Sequence, residues 1–250
     1  GFSGGFPGDF ITQTLEDSNI QSDFVQVDED TRINVKLKSG QETEINAPGP
    51  KVTHAQFEQL LSQIRRTTND DIVIVAGSVP NSIPSDAYAQ IAQITEKTGA
   101  QLVVDAEKDL VETVLPYRPL FIKPNKDELE VMFNTTVKSD EDVIKYGKEI
   151  LKKGAQSVII SLGGDGAIYV DQHQSIKAVN PQGHVVNTVG SGDSTVAGMV
   201  AGLSMGLNVD EAFQQAVASG TATAFSEDLA TRDAIENIKS QVTISVLDGE

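Results

Sequence analysis

From residue 71 onward the chain alternates between two periods of apolar placement. Asp71-Ile72-Val73-Ile74-Val75-Ala76 is apolar and β-branched almost throughout and is closed by Gly77, which predicts a buried strand. Between Ser85 and Thr98 the period changes. Tyr88, Ile91, Ala92 and Thr95 fall on one helical face, and Gly99 stands where a helix would stop. Gln101-Leu102-Val103-Val104-Asp105 predicts a second strand, and Leu120-Phe121-Ile122 a short third. Ser139 with Asp142 resembles a capping box before a helix that ends at Gly154. Ser157-Val158-Ile159-Ile160-Ser161 and Ala167-Ile168-Tyr169-Val170 predict two further strands. Ser194 to Leu207 predicts a helix with Val196, Met199, Val200 and Leu203 inward, and more helix follows through Ala224. Such alternation implies an α/β fold, with a mainly parallel central sheet covered by helices on both faces.

Residues 27–48 break that rhythm. Thr31 to Leu37 alternates, Lys38-Ser39-Gly40-Gln41 reads as a turn, and Glu42 to Asn46 returns, so a hairpin of polar strands is expected. A thin hairpin ahead of an α/β core suits a lid or a dimer clasp better than a core strand. Ala47-Pro48-Gly49-Pro50 leads back to the body.

Composition narrows the function classes. The 250 residues carry 19 Lys+Arg against 36 Asp+Glu, a net charge of −17. That excess argues against sequence-independent nucleic-acid binding, which needs cationic surface to displace counterions. It also means that a phosphate-bearing ligand must be met by a local concentration of positive charge. No stretch approaches 18 apolar residues, so no membrane helix is expected. Gly1 to Phe6 lacks the basic flank and apolar run of a signal peptide. The absence of cysteine excludes disulfides and thiolate metal sites and fits a cytoplasmic protein. His54, His173 and His184 have no metal-ligand spacing and read as surface or loop residues.

The strongest chemical signal is Asn187-Thr188-Val189-Gly190-Ser191-Gly192-Asp193-Ser194, directly before an apolar helix. Glycines there let backbone N–H groups turn toward an anion, and a helix N-terminus adds its positive end. Asp193 could accept a proton from an attacking hydroxyl. An ordinary helix start with a Ser or Asp cap has the same local pattern. Lys123-Pro124-Asn125-Lys126-Asp127-Glu128 places Asn125 and Glu128 three residues apart at a helix start, the spacing of a capping box. Ser161-Leu162-Gly163-Gly164-Asp165-Gly166 is a glycine cluster after a strand. A dinucleotide-binding turn would have to open a helix, whereas a strand follows here, so that reading fails. G-x-x-x-x-G-K-[ST] and the protein-kinase signature set are both absent.

Together these segments resemble the ribokinase-like (PfkB) carbohydrate kinases along essentially the whole chain. Asn-Thr-Val-Gly-Ser-Gly-Asp-Ser followed by Thr195-Val196-Ala197-Gly198 is similar to that family's C-terminal signature. The resemblance implies a ribokinase-like three-layer sandwich with a small β lid. It makes Gly190, Ser191 and Gly192 the anion hole and Asp193 the catalytic base. It makes Asn125 and Glu128 holders of a Mg²⁺ and phosphate network, largely through water, and assigns Ser161, Leu162, Gly163, Gly164, Asp165 and Gly166 to ATP. Lys123 either adds positive potential for the nucleotide or is an ordinary exposed lysine. The small-residue run Ala216, Ala218, Ser219, Gly220, Ala222 and Ala224 resembles the helix beside the adenine, and close helix packing explains it equally well.

On the sugar side, Thr31-Arg32-Ile33-Asn34 resembles the Thr-Arg-x-Asn of phosphosugar kinases, with Arg32 gripping the substrate phosphate through its bidentate fork. Ala76-Gly77-Ser78-Val79-Pro80 makes Ser78 a second substrate contact. The branch it resembles is that of the 1-phosphofructokinases and tagatose-6-phosphate kinases, with fructose 1-phosphate preferred. In the family a strand, a sugar-binding Asp and a Gly-Gly-Lys-Gly-x-Asn turn precede the segment resembling Gly4 to Phe10. The resemblance therefore implies one domain over residues 1–250 that lacks its N-terminal strand and glycine turn, with the lid at 27–48, weak sugar binding and little activity. A nucleotide-binding protein without catalysis is the alternative of another class, and an oxidoreductase a distant third. The hairpin suggests a homodimer.

Overall fold

The computed structural model describes residues 1–39 and 41–249, and only the backbone of residues 38, 39 and 41–44. Gly40, at the expected hairpin tip, lies outside the described residues. The chain divides into two compact units: Gly1–Asp71 with Ser78–Ala100, and Ile72–Gly77 with the chain from Gln101 onward.

In the first unit, strand β1 (Phe2–Ser3) pairs in parallel with β2 (Val25–Gln26), and helix α1 (Gly5–Asp17) runs between them. Strands β3 (Val35–Ser39) and β4 (Gln41–Ile45) form an antiparallel ladder with Val35 opposite Ile45. The strand starts at Val35 rather than Thr31, because Thr31 is tied elsewhere. Its N–H donates to Gly4 O at 2.8 Å, and its Oγ1 accepts from Gly4 N at 3.0 Å. Nor are the strands wholly polar, since Val35, Leu37 and Ile45 are all exposed on them. Helix α2 (His54–Ile64) opens on a complete Thr53–Gln56 capping box. Helix α3 (Ala87–Thr98) buries Tyr88, Ile91, Ala92 and Thr95, the face expected from their spacing, and ends at Gly99.

The second unit is built on one seven-stranded sheet. Strands β5 (Ile72–Ala76), β6 (Gln101–Asp105), β7 (Phe121–Ile122) and β8 (Ser157–Ser161) pair in parallel. Strands β9 (Ala167–Val170), β10 (Gln174–Val179) and β11 (Thr243–Gly249) continue the sheet from β8 in antiparallel pairs, giving the order β11-β10-β9-β8-β7-β6-β5. Helices α4 (Lys108–Val114), α5 (Lys126–Phe133) and α6 (Asp140–Lys153) lie in the parallel half of the chain. Helices α7 (Ser191–Ser204), α8 (Val209–Ala224) and α9 (Arg232–Lys239) complete the unit.

The middle of the sheet is buried on both faces, which is why β8 reads as an unbroken apolar run. Ile159 joins Phe121, Tyr169 and Ile176 in a core with Val196 and Met199 of α7 and Phe213 and Val217 of α8. Ile160, the next residue, points the other way, toward Gly147 of α6. Burying a side chain such as Phe213 contributes about 1.5–3 kcal/mol. Where α7 crosses α8 the backbones nearly touch: a Cβ on Gly220 would lie 2.2 Å from Thr195 Oγ1. The small-residue run on α8 permits this close packing, and its Gly220 and Ala224 also line a cavity. Among the described residues no helix is long and apolar enough to cross a membrane.

Candidate active site

The parallel strands β6, β7 and β8 all end on the same side of the sheet, where open α/β sheets bind ligands. There a cavity of about 640 Å³ opens, lined by Asn125 and Asp127, the glycine turn after β8, the loop 180–188, and the facing parts of α7 and α8. Of the residues singled out from the sequence, Asn125, Ser161, Leu162, Gly163, Gly164, Gly166, Ser191 and Gly192 line it together. Asp165 belongs to the turn but is exposed and is not a lining residue.

The helix at Gly190 begins three residues earlier than its apolar pattern suggests, so Ser191, Gly192 and Asp193 form its first turn. Gly190 is the N-cap at φ 80, left-handed backbone that favours glycine. Ser194 N donates to Gly190 O at 2.8 Å, and no side chain caps the turn. An uncapped first turn leaves N–H groups aimed outward with the positive end of the helix behind them, the arrangement that binds phosphate. Asp193 is exposed at the third position of this turn. Ser191 Oγ is buried without a hydrogen-bond partner, an unused polar group at the cavity wall.

Lys123 is not an ordinary exposed lysine. Its side chain is 8% exposed, and its ammonium lies 3.3 Å from where a Gly192 Cβ would stand. It also lies 3.3 Å from Asp105 Oδ2. A buried ion pair is weak evidence for stability, since desolvation offsets most of the attraction. Here it fixes a positive charge directly under the open helix start. Burial raises the Asp105 carboxyl above its ordinary value; Lys123 opposes the rise, while the charges of Glu128 and Asp193 add to it. Asp105 is thus a member of the site that the motifs did not point to. The available signal was its place as the last residue of a buried strand.

Asn125 and Glu128 form a complete capping box. Glu128 N donates to Asn125 Oδ1, and Asn125 N donates to Glu128 Oε2, each at 2.8 Å. Among the described residues no three His, Asp or Glu side chains gather to hold a metal ion. With one Glu128 oxygen already engaged, the donor set suits a hard cation that keeps most of its water. The cavity offers glycine backbone on the wall made by the turn after β8 and the open start of α7 on another. Arg32 and Ser78 are both exposed in the other unit, Arg32 in the irregular segment before β3. His54, His173 and His184 are all exposed.

Comparison with known proteins follows the same lines. The model of the pfkB family carbohydrate kinases matches residues 1–234. A 1-phosphofructokinase of Bacillus subtilis (strain 168) is 42% identical over 247 residues, 99% of this chain and 82% of that protein. A tagatose-6-phosphate kinase of Staphylococcus epidermidis is 32% identical over 232 residues, 91% of this chain and 75% of that protein. The crystal structure of a candidate phosphofructokinase from Staphylococcus aureus superposes with a TM-score of 0.92 at 80% identity, over all of this chain and 82% of that one.

Proposed function

The chain belongs to the pfkB family of carbohydrate kinases, and from that membership we propose that it transfers the γ-phosphoryl group of ATP to fructose 1-phosphate, giving fructose 1,6-bisphosphate. The observation that carries the reading is the uncapped start of α7, with Gly190 as its cap and the Lys123 ammonium beneath Gly192. Asp193 removes the proton from the C6 hydroxyl as it attacks in line. The first-turn amides of α7, with Ser191 and Gly192, hold the charge that develops on the transferring group. The turn Ser161 to Gly166, with Asn125 and Lys123, holds the nucleotide. Bound Mg²⁺ would neutralise phosphate oxygens, and Asn125 and Glu128 are the residues that orient its water shell. Arg32 and Ser78 hold the phosphate already on the sugar, for which a guanidinium fork is well shaped.

The test is ADP release with fructose 1-phosphate, tagatose 6-phosphate and fructose 6-phosphate, compared by kcat/KM. The highest value is expected for fructose 1-phosphate. A higher value for tagatose 6-phosphate would favour the second reading, which the relative from Staphylococcus epidermidis supports. Nucleotide binding with no turnover on any sugar phosphate would favour a nucleotide-binding protein without catalysis. We further propose that the protein works in the cytoplasm, where ATP and sugar phosphates are found. The exposed apolar face of Val35, Leu37 and Ile45 supports pairing of two copies through the hairpin. Light scattering on a Leu37→Ser variant tests that pairing, with monomers expected.

A further inference from the structure

Asn180, just after β10, ties two walls of the cavity together. Its Nδ2 donates to Gly163 O at 3.0 Å and to Gly164 O at 3.4 Å. Its Oδ1 accepts from Thr221 Oγ1 on α8 at 2.9 Å. All four residues line the cavity. Only a primary amide can donate to two carbonyls while accepting from a hydroxyl; a carboxylate has no hydrogen to give.

The base of the turn it grips is closed by Leu162 N to Gly166 O at 2.8 Å, but its tip is held less firmly. Gly163–Asp165 is a single turn of 3₁₀ helix with the longer bonds Gly166 N to Gly163 O at 3.2 Å and Asp165 N to Leu162 O at 3.3 Å. Three glycines in four residues give it a large freedom to lose. Gly166 is required by the fold, since its φ is 94 and a Cβ there would lie 1.9 Å from Ala178 O. Gly164 is not. Its φ is outside the left-handed region, and a Cβ would meet nothing within 4 Å. Nothing inside the protein calls for glycine at this cavity-lining position, whereas a ligand lying close against its backbone would.

We infer that Asn180, anchored by Thr221, is the positioning residue of the nucleotide turn: it fixes the Gly163–Gly164 backbone against α8 before ATP arrives. The inference rests on the nucleotide reading of the cavity. A turn held in its bound shape spares the ligand the cost of ordering it, so the gain belongs to nucleotide affinity and not to the sugar side.

Calorimetric titration with ATP, alongside KM for both substrates, tests this on Asn180→Ala, Thr221→Val and the double variant. Asn180→Ala is expected to weaken ATP binding about 10-fold and Thr221→Val about 3-fold, in line with the loss of neutral hydrogen bonds. The double variant should bind within about 2-fold of Asn180→Ala, because the residues act as one unit. The ATP KM should rise while that of fructose 1-phosphate stays nearly constant. ATP binding within 2-fold of the parent in Asn180→Ala would overturn the inference, as would equal losses for both substrates with a lowered melting temperature. Thr221→Val, nearly the same shape, keeps the test decisive if Asn180→Ala folds poorly. A parent protein that binds no ATP would instead overturn the nucleotide assignment, and the inference with it.

Discussion

Helices α5 and α7 begin at the rim of the same cavity, and each carries a carboxylate at the third position of its first turn. In α5 the N-cap is Asn125, and Glu128 folds back to accept the cap's N–H, so the helix start is closed from within. In α7 the N-cap is Gly190, which has no side chain to give, and Asp193, one methylene shorter, stands exposed. A cap contributes about 1 kcal/mol. The chain takes that stabilisation at α5 and forgoes it at α7, leaving both the amides and the carboxylate of α7 for chemistry. The same backbone element is thus closed from within in one place and open in the other.

Changing the carboxylate of the open start should have the largest effect. Asp193→Asn is expected to lower turnover by about 10³-fold, within the range for loss of a general base, while calorimetry finds ATP affinity within about 3-fold of the parent. Undiminished ADP release would remove Asp193 as the base. Gly190→Ala comes next. A Cβ at φ 80 costs roughly 1–2 kcal/mol, and here it would also lie 2.8 Å from Leu229 Cδ2. Thermal melting should fall, and turnover should drop about 10–100-fold as the amides lose their aim; unchanged kinetics would mean that the open start is not used.

At the closed start the effects should be smaller. Asn125→Ala should lower the melting temperature by about 2–4 °C, as loss of about 1 kcal/mol does in a protein of this size. Asn125→Asp preserves the cap and should recover that loss, yet lower the Mg²⁺ concentration needed for half-maximal activity, because a carboxylate attracts the cation more strongly than an amide. An unaltered Mg²⁺ requirement would confine Asn125 to capping. The smallest effect is expected at Asp105, which senses the charge of both Glu128 and Asp193. Its carboxyl titrates above the ordinary value, so the folded state is favoured while it is protonated and loses that advantage as pH rises through the raised value. Asp105→Asn keeps an oxygen for Lys123 and should melt above the parent at pH 7, the gap closing as pH falls below the ordinary Asp value of 3.8. A lower melting temperature at pH 7 would show the Lys123 pair outweighing burial.

The strands at 101–105 and 157–161 could be read from sequence because burial on both faces leaves an unbroken apolar run; the strand at 72–76 has the same β-branched run, although Ile74 is exposed on it. The motifs of the site were equally legible, since glycine loops and helix caps are local chemistry. What escaped was set by tertiary contact. β11 has an exposed edge, with a burial pattern that shows no alternation to detect. Helix α1 contains glycine and proline in its first turn and buries only Pro7 and Gly8. The early start of α7 was hidden because Ser191-Gly192-Asp193 resembles a loop until the apolar helix behind it holds it in place. The Lys123–Asp105 pair joins residues 18 positions apart in sequence, and neither residue alone announces the other.

On the proposed function, the open start of α7 would also couple ligand concentration to heat resistance. An anion that completes this turn binds only the folded chain, so the folded state gains free energy by mass action, about 2.7 kcal/mol at one hundred times the dissociation constant. ADP, inorganic phosphate and sulfate should each raise the melting temperature in order of their affinity for the turn. The choice of buffer thereby becomes part of the measured stability, and a crowded metabolite pool becomes a source of it.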